Sequence, residues 1–253
     1  MKRAVSVLLS AALMLSVLTG CGKSGSVSKK NIPAEETAAS KKIALSDSGI
    51  TVDGAAISDD ETAAVYAAQD IVYYEEGQGV AYGAGTDADA HSQEEADAHT
   101  VVHITQPGTY TLSGTLSAGQ IAVDLGDGAE EDPEAVVTIV LDGVDITCTV
   151  APAIIFYRVY ECGSADMETA TQTVDTSAAG ANVVIADGTE NRVTGSHVAK
   201  IYKPESVTLN ADGTAVEEAK KLHKYDGALY SKMSMNVSGG EAGTGTLEIV
   251  ADN

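Results

Sequence analysis

The sequence predicts an all-β chain wound as a β-solenoid, with a β-sandwich as the alternative. Three observations carry this. Short runs of β-favouring residues are punctuated by Gly and Asp corners, with no long amphipathic helix between them. The core must be built from small aliphatic residues, because the chain has one Phe (Phe156), no Trp and 25 Gly. That supply suits stacked short strands with tight turns. Finally, VTIVLDGVDIT (Val137–Thr147) and VVIADGTENRVT (Val183–Thr194) share a strand, an Asp-Gly corner and a second strand, and LNADGT (Leu209–Thr214) echoes part of the pattern. A repeat of this kind lets each turn of a coil bury its inward Val, Ile and Leu against the next turn.

Taken in order, Ile43–Leu45 and Gly49–Val52 read as short strands, Glu61–Gln69 as one or two helical turns, and Ile71–Tyr74 as extended. Residues 75–99 form a polar surface loop with a brief helix over Glu94–His99. Denser β signals follow: Thr100–Thr105, the alternating Tyr110–Leu116, Gln120–Leu125, then Val136–Leu141 and Val144–Val150 broken at Asp142-Gly143, and Ala153–Val159. Residues 161–180 are a polar insertion, as are residues 66–100. Strands resume at Asn182–Ala186, Arg192–Thr194, Lys200–Lys203 and Ser206–Asn210. Val216–Leu222 reads as a short helix, before strands at Leu229–Tyr230, Met233–Val237 and Gly245–Val250.

The N-terminus has a different character. Lys2 and Arg3 precede an apolar stretch, Ala4–Val17. It is too short for a spanning helix, which needs ~20 apolar residues, and fits the apolar region of a signal peptide. Leu18-Thr19-Gly20-Cys21 resembles the bacterial lipobox, in which the cysteine is lipidated and the chain cleaved before it. The expected organisation is a leader over 1–20, a flexible tether over 21–41 rich in Gly, Ser, Lys, Ala and Glu, and a β domain over 42–253. Acyl chains on Cys21 would anchor the protein to the outer face of the bacterial cytoplasmic membrane. Loss of Lys2 and Arg3 with the leader would take the formal charge from −22 to −24. So acidic a chain lacks the Lys/Arg patches that nucleic acid demands.

Four segments occur in an order typical of one group: HITQPGTYTLSGTLSAGQIAVDL (His103–Leu125), VTIVLDGVDIT, ADGTENRVTG (Ala186–Gly195) and DGALYSKMSMNVSGG (Asp226–Gly240). Over roughly residues 42–253 the chain resembles the carbohydrate-binding, polysaccharide-lyase-like β-helix lipoproteins of clostridia and their relatives. The resemblance implies a right-handed parallel β-helix, bound Ca²⁺, and binding of plant cell-wall or acidic polysaccharides without established catalysis. The insertions near 66–100 and 161–180 depart from the group. So does the stop at Asn253, where such proteins continue with further Gly-Gly and Asp-Gly turns; the expectation is a helix truncated at that end, with Leu247–Val250 as an uncapped edge.

Candidate site residues follow from chemistry. Asp124, Asp127, Glu130, Glu131 and Asp132 crowd five carboxylates into nine residues, which either stay solvated or share a hard cation; Asp124, Asp127, Glu131 and Asp132 are the candidate Ca²⁺ ligands. The stretch from Asp87 fails the EF-hand template. His91, His99 and His103 lack the Cys or Glu-x-x-His partners of a zinc site. A lyase, the alternative function, would need a basic residue to abstract a proton, an Arg or a Lys, and the only arginines of the mature chain are Arg158 and Arg192. An adhesive or structural surface protein is a third reading. Without Trp, sugar stacking falls to Tyr, so Tyr202, Tyr225 and Tyr230 are candidate ligand contacts, with Lys232 beside them; the competing role for these tyrosines is to cap a thin core at its corners. Cys148 and Cys162 are expected to form a disulfide, worth ~3 kcal/mol for a loop of that length, with two separate buried thiols as the alternative.

Overall fold

The computed structural model describes residues 39–71, 93–163, 174–196, 201–202, 221–223 and 227–251. The strands are β1 (Ala39–Leu45), β2 (Thr51–Val52), β3 (Ala55–Ala56), β4 (Val65–Ala68), β5 (Thr100–Ile104), β6 (Gly108–Leu116), β7 (Gly119–Asp124), β8 (Val137–Thr147) and β9 (Ile154–Arg158). They continue with β10 (Ala181–Ile185), β11 (Glu190–Gly195), β12 (Ile201–Tyr202), β13 (Lys221–His223), β14 (Leu229–Ser231), β15 (Met235–Gly239) and β16 (Thr246–Ala251). One short helix, α1 (Gln93–Asp97), precedes β5. The class is the one the sequence predicts: nearly all β, in mixed sheets.

Two sheets carry the core. The first orders its strands β15-β10-β8-β6-β1-β2-β3, with β11 lying between β8 and β16. The second runs β14-β9-β7-β5-β4. From β5 to β10 the chain alternates between them, β5 in the second, β6 in the first, β7 in the second, β8 in the first, β9 in the second, β10 in the first. Each strand pairs in parallel with the strand of the same sheet that comes next in this alternation. Within these two sheets, among the described residues, antiparallel pairing is confined to one end, where β2 and β3 fold back on β1 and β4 lies against β5; β12 and β13 form a separate antiparallel two-stranded sheet.

Parallel register stacks like residues on like. In the first sheet Ile43, Leu112 and Leu141 lie in one column, and Tyr110, Ile139 and Val183 in another. In the second, Val102, Ile121 and Ile154 form one column and Ile104, Val123 and Phe156 the next. All twelve side chains are fully buried and belong to one apolar core. With one Phe available, these repeated aliphatic columns supply the burial that larger aromatics give elsewhere, about 1.5–3 kcal/mol for each fully buried side chain.

The two copies of the repeat noticed in the sequence lie side by side in the first sheet. Val137–Leu141 pairs with Ala181–Ile185, and Asp145–Thr147 with Arg192–Thr194. The two halves of VTIVLDGVDIT are not separate strands, as Asp142-Gly143 suggested, but one strand with a register shift against β6. Gly143 takes φ +78° there, so the bulge is absorbed by a residue that tolerates it. In the next turn the same corner opens into the Ala186–Thr189 loop. Asn191 ties the levels together. It is almost wholly buried; its Oδ1 accepts from the Gly143 and Val144 N–H groups (2.9 and 3.0 Å), and its Nδ2 donates to Thr189 Oγ1 (2.8 Å) and the Thr246 carbonyl (3.1 Å).

Two segments expected to be helical contain strands. Val65–Ala68, inside the Ala-rich 61–69 segment, pairs antiparallel with β5; burial of Val65 in the core and stacking of Tyr66 on His103 (4.5 Å between ring centroids) outweigh local helix propensity. Of Val216–Leu222 only Lys221 and Leu222 are among the described residues, and they lie on β13, paired with β12. The brief helix near Glu94–His99 is present as α1. Ile71 is irregular; Val72–Tyr74, Ser206–Asn210 and most of the two insertions lie outside the described residues.

Two carboxylates fasten successive loops. Asp187 accepts from the Ala242 and Thr244 N–H groups (2.8 and 3.0 Å), which hold its carboxyl below the usual range. Glu161 Oε1 accepts from Gly163 N–H (2.6 Å) and Ser234 Oγ (2.7 Å), and its Oε2 from Ser234 N–H (2.8 Å). Partial burial pushes the Glu161 carboxyl up, but the hydrogen bonds from Ser234 and Gly163 together outweigh it and leave the carboxyl below its ordinary 4.5. A depressed carboxyl stabilises the fold fully above its ordinary value and loses that contribution as pH falls through the lower folded value. Glu161→Gln is therefore expected to lower the urea midpoint at about pH 7, with the gap to wild type closing toward about pH 3. A gap of equal size at both pH values would show that the ionised form is not what matters.

Candidate site at the end of the second sheet

The second sheet has an outward face as well as a core face. Along β9, Ile154 and Phe156 point into the core, while Ile155 joins Val101 and Ala122 in a separate buried cluster with Ile71 and Tyr230 packed on it. Tyr230 reaches that face because it is paired with Ile155. Past this cluster, the β7–β9 pairing shifts register between Val123 and Asp124, so that Asp124 is opposite Arg158. Such a bulge re-aims side chains at a strand end, and here it gathers a charged group around one aromatic ring.

Arg158 grips Asp124 with two parallel hydrogen bonds, Nε to Oδ1 at 2.6 Å and Nη2 to Oδ2 at 2.7 Å, and reaches Asp127 Oδ1 through Nη1 at 2.6 Å. The Arg158 and Asp124 side chains are only 20% and 24% exposed, so this forked pair is shielded and geometrically fixed. Tyr157 is buried beside it, with the Arg158 guanidinium carbon 5.5 Å and the Lys232 ammonium 5.0 Å from its ring centre. Lys232 also pairs with Glu130 Oε1 at 3.4 Å, and its backbone N–H is fixed by the Phe156 carbonyl. The result is a ring edge bordered by two cations and three carboxylates, with Tyr230 two residues from Lys232 on the same strand end.

A model of the family described as carbohydrate-binding domain-containing protein matches residues 98–253. The chain belongs to this family. A carbohydrate-binding domain-containing protein of Acetivibrio thermocellus is 29% identical to it over 151 residues, which is 55% of this chain and 43% of that protein. The chain thus matches less than half the length of that relative. No solved structure matches it. Every residue of the Tyr157 cluster lies inside the family-matched stretch, whereas β1–β4 precede it.

The candidate residues fall into three groups in this family member. Tyr230, Lys232, Asp124 and Asp127 are brought together, and Tyr157, Arg158 and Glu130 join them. Glu130 and Arg158 were legible only as one of five crowded carboxylates and as one of two arginines; their meeting around Tyr157 was not, because a β-bulge, not sequence spacing, aims Arg158. Tyr202 lies on β12, opposite Lys221, and Tyr225 and Cys21 lie outside the described residues.

The proposed calcium ligands do not assemble into a cation cage. Asp124 and Asp127 are both committed to Arg158. Asp132 Oδ1 accepts from Glu134 N–H at 2.9 Å, an ordinary turn contact. Glu131 sits on the exposed 3₁₀ turn Ala129–Glu131. Among the described residues no three His, Cys, Asp or Glu side chains converge on a point. His99 and His103 are also accounted for: His99 Nδ1 lies 2.8 Å from the Glu95 carbonyl while its Nε2 accepts from Thr149 N–H, and His103 Nε2 lies 2.8 Å from Asp70 Oδ1.

The expected disulfide is not formed; the cysteines are separate thiols. Cys148 and Cys162 are both free. Cys148 directly follows β8, whereas Tyr160, two residues before Cys162, is bonded to the carbonyl of Ala135 just ahead of β8. The cysteines therefore lie at opposite ends of an eleven-residue strand, beyond the ~7 Å Cα separation a disulfide can bridge. Burial pushes the Cys148 thiol up to about 11.

Proposed function

We propose that this protein is a lipid-anchored surface protein that binds polysaccharide without chemically altering it, on a body wound as a right-handed parallel β-helix. The observation that carries the binding reading is the charged cluster around Tyr157 within the carbohydrate-binding family match: the partly exposed Tyr230 beside it, a half-exposed ammonium and fixed carboxylates offer the apolar face and the hydrogen-bonding edge that a sugar ring needs. The coil is supported by the alternation of successive strands between two sheets of parallel, in-register neighbours; a hairpin-built sandwich would make those neighbours antiparallel. Parallel crossover connections are right-handed in about 98% of cases, which supports the hand. The lipobox-like Leu18–Cys21 supports the anchor and the outward localisation.

Charge narrows the ligand. Arg158 is matched by two carboxylates and Lys232 by a third, so the cluster holds no surplus positive charge for a uronate. The glycan is a neutral one, and plant cell-wall polysaccharides of that kind fit. A guanidinium held in a forked carboxylate pair is also a poor proton acceptor, which supports binding over lyase chemistry.

The test is retention of the purified protein on insoluble neutral glucan or xylan and on polygalacturonate, with and without chelator. Retention on a neutral glycan that survives chelation is expected. Lys232→Ala or Tyr230→Ala should weaken it roughly 3- to 10-fold, the loss of one ligand contact of about 1 kcal/mol. Unchanged retention in both variants would remove this cluster from the function, and release of unsaturated sugar from polygalacturonate would restore the lyase reading.

A further inference from the structure

We propose a second ligand site, a pocket for a single neutral sugar ring, at the corner where the β1–β2 turn meets the β6–β7 turn. This rests on the saccharide-binding reading of the chain, but the site is a different one: it is built half from residues 46–67, which precede the family-matched stretch.

The corner encloses a cavity of about 360 Å³, within the range of small-molecule sites, roughly 300–1,000 Å³. Its floor is apolar. Ile50 and Leu116 are buried core residues, and Ile57 packs against the same core. Its rim is polar, and the polar groups are already oriented. Asp47 Oδ1 accepts from Ser117 N–H and its Oδ2 from Ser117 Oγ, both at 2.7 Å, which closes the two turns on each other. These bonds from the Ser117 hydroxyl and amide keep the Asp47 carboxyl below its usual range. A carboxylate offers about four acceptor positions, so each Asp47 oxygen retains one for a ligand hydroxyl. Adjacent hydroxyls on a pyranose match that two-oxygen edge, and the ring's C–H face matches the Ile50–Leu116 floor.

Asp47 is the single ionisable side chain lining the cavity. With one fixed negative charge and no cation, the pocket repels a carboxylated or phosphorylated sugar and admits an uncharged one. The floor belongs to the rigid stacked core, and the rim is held by hydrogen bonds within the protein. Little ordering is then required on binding, which favours even a small ligand.

The experiment is amide-resolved NMR titration of the purified protein with methyl glucoside, and with glucuronate as the anionic control. Saturable shifts are expected at the amides of Gly49, Thr100 and Ser117 with methyl glucoside, and at least ~10-fold weaker binding of glucuronate. Ala98→Phe, at an exposed position on the pocket wall, should abolish the shifts while circular dichroism shows the fold intact; Asp47→Asn should weaken methyl glucoside and narrow the discrimination against glucuronate. Absence of saturable shifts in folded wild-type protein overturns the pocket, as does equal binding of the two sugars or full binding by Ala98→Phe. Polysaccharide retention measured on the same preparation separates the two ideas: retention without these shifts overturns the pocket alone, and loss of both overturns the saccharide reading beneath it.

Discussion

Asn191→Ala is expected to destabilise the fold by about 2–5 kcal/mol, with a fall in Tm of roughly 5–15 °C. The size follows from what the side chain leaves behind. Its Oδ1 is the acceptor for two backbone N–H groups, those of Gly143 and Val144, on the neighbouring turn of the chain, and its Nδ2 reaches Thr246 on the turn beyond. Asn191 is 4% exposed, so truncation strands donors that water reaches poorly, each at about 1–3 kcal/mol. The preceding loop also loses the Thr189 contact. Arg192→Ala, one residue away with a half-exposed side chain paired only loosely to Glu248 (3.4 Å), is the control and should change stability by less than about 1 kcal/mol. Thermal or guanidinium unfolding of both variants measures the difference. Equal effects at 191 and 192 would mean that Asn191 does not link the turns.

Gly114→Ala is expected to cost more than about 3 kcal/mol, whereas Gly143→Ala should cost only about 1–2 kcal/mol. Both glycines occupy positive φ, +93° at Gly114 and +78° at Gly143, so backbone strain alone predicts similar penalties. Space separates them. A Cβ at Gly114 would stand 2.3 Å from the Leu45 carbonyl oxygen of the adjacent strand, while one at Gly143 would meet nothing within 4 Å. Relief at 114 requires β1 to move away from β6, which breaks the parallel ladder that joins the N-terminal strand to the stack. Denaturant midpoints for the two variants decide the point; a Gly143 penalty as large as that at Gly114 would show that conformation, not the close approach of strands, governs these corners.

Much of the strand pattern was legible in the sequence. Tyr110–Leu116 alternates, and β6 spans it; Gln120–Leu125 predicts β7 to within a residue at each end. The 137–147 and 183–194 repeat pointed to equivalent turns, and those segments do pair in register. What misled was local propensity in short segments. Ala-rich 61–69 has helical composition, but Val65 is buried and Tyr66–Ala68 half-buried against an antiparallel partner more than thirty positions away in sequence, and a contact at that range has no local signature. The acidic 124–132 stretch shows the same gap at the site level. Five carboxylates in nine residues suggested a cation, and a cation is there, but it is the guanidinium of Arg158, delivered from another strand by a bulge.

By itself the sequence determined the class, since one Phe, no Trp and many glycines leave only repeated aliphatic columns to fill a core, and alternation sets which side of each strand faces it. It also set the net charge of −22, which needs no structure. The tertiary fold alone decided which distant residues meet: Arg158 with Asp124 and Asp127, Lys232 with Tyr157 and Glu130, Asp47 with Ser117, and Cys148 apart from Cys162. Pairing between strands is fixed by register across the whole stack, and a single bulge shifts which side chain faces which neighbour without leaving any mark in the local order of residues.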